Sequence, residues 1–394
     1  MEDFSMCRKA KSKPRPAFAA GLGFSSLPYA LQLMTHLDTL ENFLASQILS
    51  AAAYSQYCTG DVSKYFLKDY AKEIRGISQA YVTHSVGSRL PSPVTSTQGA
   101  EAYALYYSTI NAAKILHLLP LLTLPRTLSV LDIGCGPGTA GLALLTALQH
   151  PFELTCVESA PAMRTVAERL LSQWRTPHPL EKLTMLGTLN ASSRSEYDLI
   201  IAANVLAEMP HNDATLLIEI LASRLRPEGY LLLLEPGQQA HTRRLMALRD
   251  QIVHEHHDLA PLFPCLRADT CPMLRTSDTD WCHDTLEWQQ PRLNRQFDHL
   301  LAFNKHRIKY AGFVFQRGGV LLDGVRVITP PEKTRAGIEA ILCGKDMYGI
   351  ARIRKGARSD GTRPLEKASV FERLRMSTPR IGDLPPDVVF TRVR

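Results

Sequence analysis

Apolar positions change their rhythm along this chain, and the changes divide it. Leu33, Leu37, Leu40, Phe43 and Leu44 recur at helical spacing, as do Tyr65, Phe66, Tyr70, Ile74, Ile77 and Tyr81. A Pro/Ser/Thr break, RLPSPVTST, then precedes a helix predicted from about Gln98 to Leu119. Residues 18–125 therefore read as a helical region behind a disordered basic tail at 1–17. From 127 onward, strand patterns alternate with helix patterns. Strands are predicted up to Asp132 and over 152–159, 182–186, 197–206 and 229–237. Helices are predicted over 140–148, 160–174, 216–225 and 241–258. The segment 285–305 reads as helical, and 308–316 with 324–330 as the hairpin that closes a seven-stranded sheet. Such alternation predicts an α/β domain with a parallel sheet, helices on both faces and ligands at the carboxyl ends of the strands. The domain is expected over 126–330, with a cysteine-bearing insertion at 261–283 and a small basic β appendage and tail at 331–394.

The candidate chemistry begins where the first strand ends. VLDIGCGPGTA carries Asp132 ahead of Gly134, Gly136 and Gly138, then enters a helix. Glycines let backbone approach a ligand, and the first N–H groups of the helix point at it. A pyrophosphate-binding loop reads GxGxxG; here the third glycine comes one residue early. The carboxylate before the glycines and the GxGxG spacing suit S-adenosylmethionine. The fold expected is therefore the Rossmann-like, class I methyltransferase type. Asp132 orders the loop and reaches the methionine amine, the glycines and Cys135 line the ligand, and Glu158 at the end of strand two bridges the ribose hydroxyls. MLGTLN after strand three lacks an acid for adenine. After strand four there is no Asn/Asp-Pro-Pro-aromatic turn, and no SPPC nucleophile occurs. Asn204 and Glu208 are the pocket candidates there, and no catalytic motif is recognisable.

Three cysteines, Cys265, Cys271 and Cys282, fall in 18 residues, and Cys343 lies far downstream. Four thiolates suit tetrahedral zinc or an iron–sulfur cluster, and the spacing matches neither a CxxC knuckle nor a Cx3Cx2C triad. Buried free thiols are the other reading. The HEHHD run is not HExxH. A net charge of +7, with 12 Lys/Arg against 6 Asp/Glu over 343–394, fits contact with RNA. No apolar run reaches spanning length, and Ile115–Leu124 is broken by Pro120, so no membrane partner is expected. The acidic start, MEDFSM, points away from a presequence and towards a bacterial cytoplasm, with the mitochondrial matrix as the alternative.

Several stretches taken together carry a resemblance. They are AYALYYSTINAA, VLDIGCGPGTA, ESAPAM, YDLIIAANVLAEM, LLLLEPGQQ, the PC…CP…WCH series, KYAGFVFQRG, RVITPP and ILCG. In these the chain resembles the methyltransferase-like assembly factors of the small ribosomal subunit, known from mitochondria and with bacterial relatives. The resemblance implies a [4Fe–4S] cluster on Cys265, Cys271, Cys282 and Cys343, with zinc as the alternative. It also implies S-adenosylmethionine at Asp132, Gly134, Gly136, Gly138 and Glu158. Binding to the immature small subunit and its rRNA follows in the same way, and the chain is expected to be a monomer when off the ribosome. The local text departs from the family at PCLR and WCHD, while the cysteines are kept. An active RNA methyltransferase with a structural metal is the competing expectation.

Overall fold

The computed structural model describes residues 27–175, 178–191 and 196–393. The basic tail expected at 1–17 lies outside the described residues. Four helices come first: α1 (Leu27–Ile48), α2 (Ala51–Thr59), α3 (Lys64–Thr83) and α4 (Thr97–Leu118). Then follow β1 (Ser129–Ile133), α5 (Thr139–Ala147), β2 (Glu153–Val157), α6 (Pro161–Gln173), β3 (Lys182–Leu186), β4 (Tyr197–Ala203), α7 (His211–Ser223), β5 (Leu225–Pro236) and α8 (Gln239–Glu255). The next elements are β6 (Leu259–Phe263), α9 (Pro272–Thr276), β7 (Asp284–Glu287), α10 (Arg292–Leu301), β8 (Arg307–Arg317), β9 (Val325–Val327), β10 (Glu332–Lys333), β11 (Gly337–Gly344) and β12 (Tyr348–Arg354). The chain finishes with α11 (Arg363–Glu366), β13 (Arg373–Met376), β14 (Gly382–Asp383) and β15 (Phe390–Arg392). Among the described residues two compact units form. One comprises Leu27–Tyr197 and Glu287–Ile308; the other comprises Asp198–Leu286 and Lys309 onward.

In the first unit β3, β2 and β1 lie side by side and parallel, with Asp132 opposite Cys156 and Val157 opposite Leu186. All five residues of β1 are buried, as a strand covered on both faces requires. Helix α4 is buried almost all round, which its run of alanines permits by letting neighbours approach closely. Ser96 starts it by accepting the Gly99 N–H at 3.0 Å. Two buried contacts tie distant elements together. Ser108 and Thr139 share a hydroxyl–hydroxyl hydrogen bond of 2.8 Å between α4 and the start of α5. The Glu41 carboxylate accepts the Leu293 and Asn294 N–H groups, each at 3.0 Å, and the Tyr57 hydroxyl at 3.1 Å. It therefore caps α10, and its burial raises its pKa to about 7.

In the second unit the order is β4-β5-β8-β6, with β7 added on β8. Strand β8 runs antiparallel to both β5 and β6. One reversed strand inserted between the last two forward ones distinguishes a class I methyltransferase sheet from a dinucleotide-binding one, so the fold is Rossmann-like and of the class I methyltransferase type. A second sheet follows in the order β14-β12-β11-β9-β13-β15, with β10 on β11. Its core is Val325, Val327, Leu342, Ile353, Leu374 and Phe390 with their neighbours.

Two expectations are corrected. Residues 324–330 do not complete the closing hairpin: β9 pairs with β11 and β13 in the second sheet, and β6 takes the place beside β8. A hydrophobic run such as GVRVITP does not say which sheet will bury it. The stretch 285–305 is not one helix, because its first residues form β7 and Pro291 then starts α10.

Gly141, which the loop motif does not include, sets how closely α5 lies on its neighbours. A Cβ there would stand 2.5 Å from Leu154 Cδ2 and 2.9 Å from Leu171 Cδ2. Gly141→Ala is expected to cost about 1–3 kcal/mol by overpacking, read as a lowered midpoint in denaturant titration of the purified protein. A midpoint equal to wild type would show that β2 and α6 give way freely there.

Candidate cofactor pocket and cysteine cavity

Strand β1 delivers Asp132 one residue from its end, and the chain then turns through three left-handed glycines. Gly134, Gly136 and Gly138 have φ of 64°, 56° and 86°, a conformation that costs other residues free energy. The Gly134 and Cys135 N–H groups both donate to the Val157 carbonyl, at 2.8 and 3.1 Å. Glu158, just past β2, accepts the Gly136 N–H at 2.9 Å on Oε2 and the Ala160 N–H at 2.8 Å on Oε1. The loop is thus pinned to the end of β2 by a carbonyl and a carboxylate. A Cβ on Gly136 would meet nothing within 4 Å, so open space stands over the middle of the loop. Gly138 is different: its Cβ would press on Leu171 at 3.0 Å.

The pocket is acidic. Asp132 is 2% exposed, and its Oδ2 is buried without a hydrogen-bond partner. Burial, and then the nearby charge of Glu158, push its carboxyl from 3.8 up to about 8. The Cys135 thiol is pushed well up by its hydrogen bond with Cys156 and by burial. Burial also raises Cys156, against the lowering effect of that same bond. The ligand atoms of Asp132, Cys135 and Cys156 lie within 4.8 Å of one another. All three are held towards their protonated forms.

In the second unit, Asn204 follows β4 in the left-handed region, with φ of 57°. Its N–H donates to the Leu234 carbonyl at 2.7 Å. Asparagine tolerates this conformation better than most residues, so the turn suits its sequence. Glu208 ends the short 3-10 turn Leu206–Glu208 and is half-buried. Buried Glu235 of β5 holds that turn, its Oε1 accepting the Leu206 and Ala207 N–H groups at 2.8 and 3.2 Å.

The same unit brings Cys265, Cys271, Cys282 and Cys343 to one cavity of about 30 Å³. Met246, Pro264, Pro272, Met273, Phe313 and Ile328 give it apolar walls, and Arg249, Arg267 and Tyr348 complete the lining. Each cysteine is positioned separately. Arg326 beside Cys265 is buried and donates to the carbonyls of Leu262, Pro264 and Phe371. Burial lowers its guanidinium to about 10. The Cys271 N–H donates to both oxygens of Asp250, each at 2.9 Å. The Cys282 N–H points at Met246 Sδ, 3.3 Å away. Cys343 sits in β11, in register with Tyr348 on one side and Arg326 on the other.

Arg249 is 1% exposed and donates to Asp250 and to the carbonyls of Arg267 and Asp269. Burial pulls its guanidinium down, but Cys265, Asp250 and Cys271 more than offset that. Burial raises the thiols of Cys271 and Cys282, and raises Cys343 to about 12; the neighbouring cysteines add to each rise. Among the described residues, the one group of three thiols, imidazoles or carboxylates with ligand atoms all within 4.8 Å is the Asp132 group. No three of the cavity sulfurs are that close. A tetrahedral zinc thiolate site, with Zn–S of about 2.3 Å, needs sulfurs about 3.8 Å apart.

Sequence reasoning leaves out Glu235, Arg249, Asp250 and Arg326. For Glu235 a signal exists: a lone acid inside LLLLEPG must have a partner to be buried. The two arginines carry none, because a charged residue in a polar helix or a short strand reads as solvated.

A family model described as mitochondrial small ribosomal subunit Rsm22 matches residues 99–358. A highly reducing polyketide synthase, PKS6, of Gibberella zeae is 32% identical over 124 residues, which is 28% of this chain; the chain spans 4% of that protein's length. Among solved structures, magnesium protoporphyrin IX methyltransferase from Synechocystis with bound S-adenosylmethionine is 15% identical. That match covers 70% of this chain and 96% of the other, with a TM-score of 0.33. The N-methyltransferase NodS from Bradyrhizobium japonicum with S-adenosylhomocysteine is 16% identical, covering 53% and 88%, with a TM-score of 0.33.

Asp132 generates a pH prediction. Its folded pKa of about 8 lies above the unfolded value of 3.8, so the unfolded chain sheds this proton first as pH rises. The stability contributed by neutral Asp132 is whole below about pH 4 and is lost as pH climbs to about 8, a change on the order of a few kcal/mol. Asp132→Asn is expected to flatten that fall and to be the more stable protein at pH 7.5, as read from denaturant midpoints between pH 5 and 8. Equal slopes in the two proteins would show that Asp132 is ionised in the fold.

Proposed function

This chain belongs to the mitochondrial small ribosomal subunit Rsm22 family, and we propose that it acts as a small-subunit assembly or translation factor that binds the subunit's rRNA. The observation that carries this reading is the extent of the family match. Residues 99–358 take in the glycine loop, the post-β4 turn and all four cavity cysteines.

In this reading S-adenosylmethionine occupies the loop pocket, against Asp132, Gly134, Cys135, Gly136, Gly138 and Glu158. The fit rests on the buried, unpartnered Oδ2 of Asp132, which calls for a hydrogen-bond donor, and on the open space above Gly136. Two acids suit an amine, a sulfonium and ribose hydroxyls, and they oppose a pyrophosphate. When bound, the ligand supplies an electrophilic methyl group. Asn204 and Glu208 are the pocket candidates on the chain's side, and no residue is assigned the removal of a proton. The intact loop favours a second reading, an active RNA methyltransferase. That reading requires a methyl mark on RNA that disappears with Gly136→Arg.

Cys265, Cys271, Cys282 and Cys343 would hold a [4Fe–4S] cluster. No three of the sulfurs lie within 4.8 Å of one another, which favours a cluster over one zinc ion; the walls are apolar, and Arg249 and Arg267 offset the thiolate charge. A cluster of this kind would join the loop after β6 to β11, and so fasten the β-rich appendage at 331–394 to the methyltransferase-like domain at 126–330. Among the described residues no helix is long and apolar enough to cross a membrane. The family's mitochondrial description favours the matrix over the bacterial cytoplasm expected from the acidic start.

The test has two parts. Protein purified without oxygen should be brown, with about four iron and four sulfide per chain, and Cys271→Ser should lose both. A tagged wild-type protein should sediment with small-subunit particles. A colourless zinc protein would overturn the cluster, and a protein that never travels with the particles would overturn the factor.

A further inference from the structure

We propose that the cleft between the start of α3 and the outer face of α10 binds single-stranded RNA, its cations taking successive phosphates and Tyr65 stacking on a base. This deepens the rRNA-binding reading above and rests on it.

The cleft lies wholly within the first unit and measures about 540 Å³. Lys64 enters it from α3; Arg292, Arg295 and His299 enter from α10. The last three are spaced three and four residues apart, so they form one stripe along the helix, about 10 Å long at 1.5 Å per residue. The opposite face of α10 buries Leu293, Phe297 and Leu301 and fixes which way the stripe points. Asp61 is the acid on the rim, and Asp38 nearby is held above the usual carboxylate range by burial, against the pull of Arg295 and Arg292.

The floor is rigid. Gln296 makes a reciprocal pair with the Val62 backbone, accepting its N–H and donating to its carbonyl, both at 3.2 Å. Arg292 donates to the Gly60 carbonyl at 2.9 Å and lies 4.6 Å from the Tyr57 ring centre. Arg292 is thus held in place before any ligand arrives, which lowers its ordering cost on binding. Lys64, Arg295 and His299 are exposed.

An acidic peptide would satisfy the cations alone. What favours RNA is the residue after Lys64. Tyr65 is 67% exposed, an unusual place for so large an apolar ring, with Phe66 edge-on at 5.4 Å and Lys68 Nζ 5.0 Å from its centre. A basic cleft beside an outward aromatic ring is the arrangement that tracks a single strand, because every base offers a face to stack on.

The test uses the full chain, a fluorescent mixed-sequence RNA 12-mer, a DNA hairpin of equal charge and a poly-glutamate peptide. Lys64→Gln with Arg295→Gln is expected to weaken RNA binding at least tenfold and to reduce the slope of log affinity against log salt by about 1.4, two phosphates at about 0.7 each. Tyr65→Ala is expected to lose about tenfold on RNA with that slope unchanged. Both variants should keep the wild-type thermal midpoint, as exposed changes do. If Tyr65→Ala binds RNA like wild type, or poly-glutamate binds as tightly as RNA, the proposal is overturned. Sedimentation separates it from the broader reading. Wild type absent from small-subunit particles sinks the factor. Wild type present, with cleft variants unchanged in RNA affinity, sinks this site alone.

Discussion

Asp132 sits at the inner end of β1, out of water, with Glu158 close enough to raise its pKa and one oxygen that meets no donor. A buried carboxyl in that state weakens the fold as soon as the solution favours its ionised form. The surrounding backbone is built to tolerate it. Three left-handed glycines carry the chain away without side chains, the Val157 carbonyl takes two of the loop's N–H groups, and Glu158 takes a third. The donors that could have neutralised Asp132 are thus committed elsewhere. What remains is a pair of carboxyl groups beside the open space over Gly136, whose natural complement is a molecule rich in hydrogen-bond donors.

The cysteine cavity solves the inverse problem. Four thiols are set into an apolar enclosure whose wall carries Arg249 and Arg267, and Arg326 stands beside Cys265. Arg249 is fixed by carbonyls on the loop that carries Cys265 and Cys271, and Arg326 by carbonyls around Pro264. Each arginine satisfies backbone groups that the irregular loop leaves unpaired, and each also brings positive charge towards sulfurs that would become negative on binding a metal. The same cations serve architecture and electrostatics, so their loss would be felt twice.

The glycine loop was legible because its chemistry is local: a strand, a carboxylate and three glycines declare themselves within ten residues. The class of fold was legible through alternation of apolar rhythm. The route of 324–330 was not, because a β-rich apolar run fits either sheet and only long-range pairing decides between them. Nor was β7, a four-residue strand that overlaps the start of a stretch that reads as a helix. Glu41, Arg249 and Arg326 were missed for another reason. A buried charge is recognisable only through its partners, and most of these lie tens or hundreds of residues away.

Glu41 shows what such distance entails for a polymer made from one end. Its carboxylate closes on the Leu293 N–H, 252 residues downstream. While the chain is being synthesised, the first helices exist without the helix they cap, and an acid meant for the interior stays hydrated. The N-terminal unit is therefore completed late, after about half of the other unit has been translated. Its assembly is governed by the slow closure of a long chain segment, whatever the speed of its individual helices.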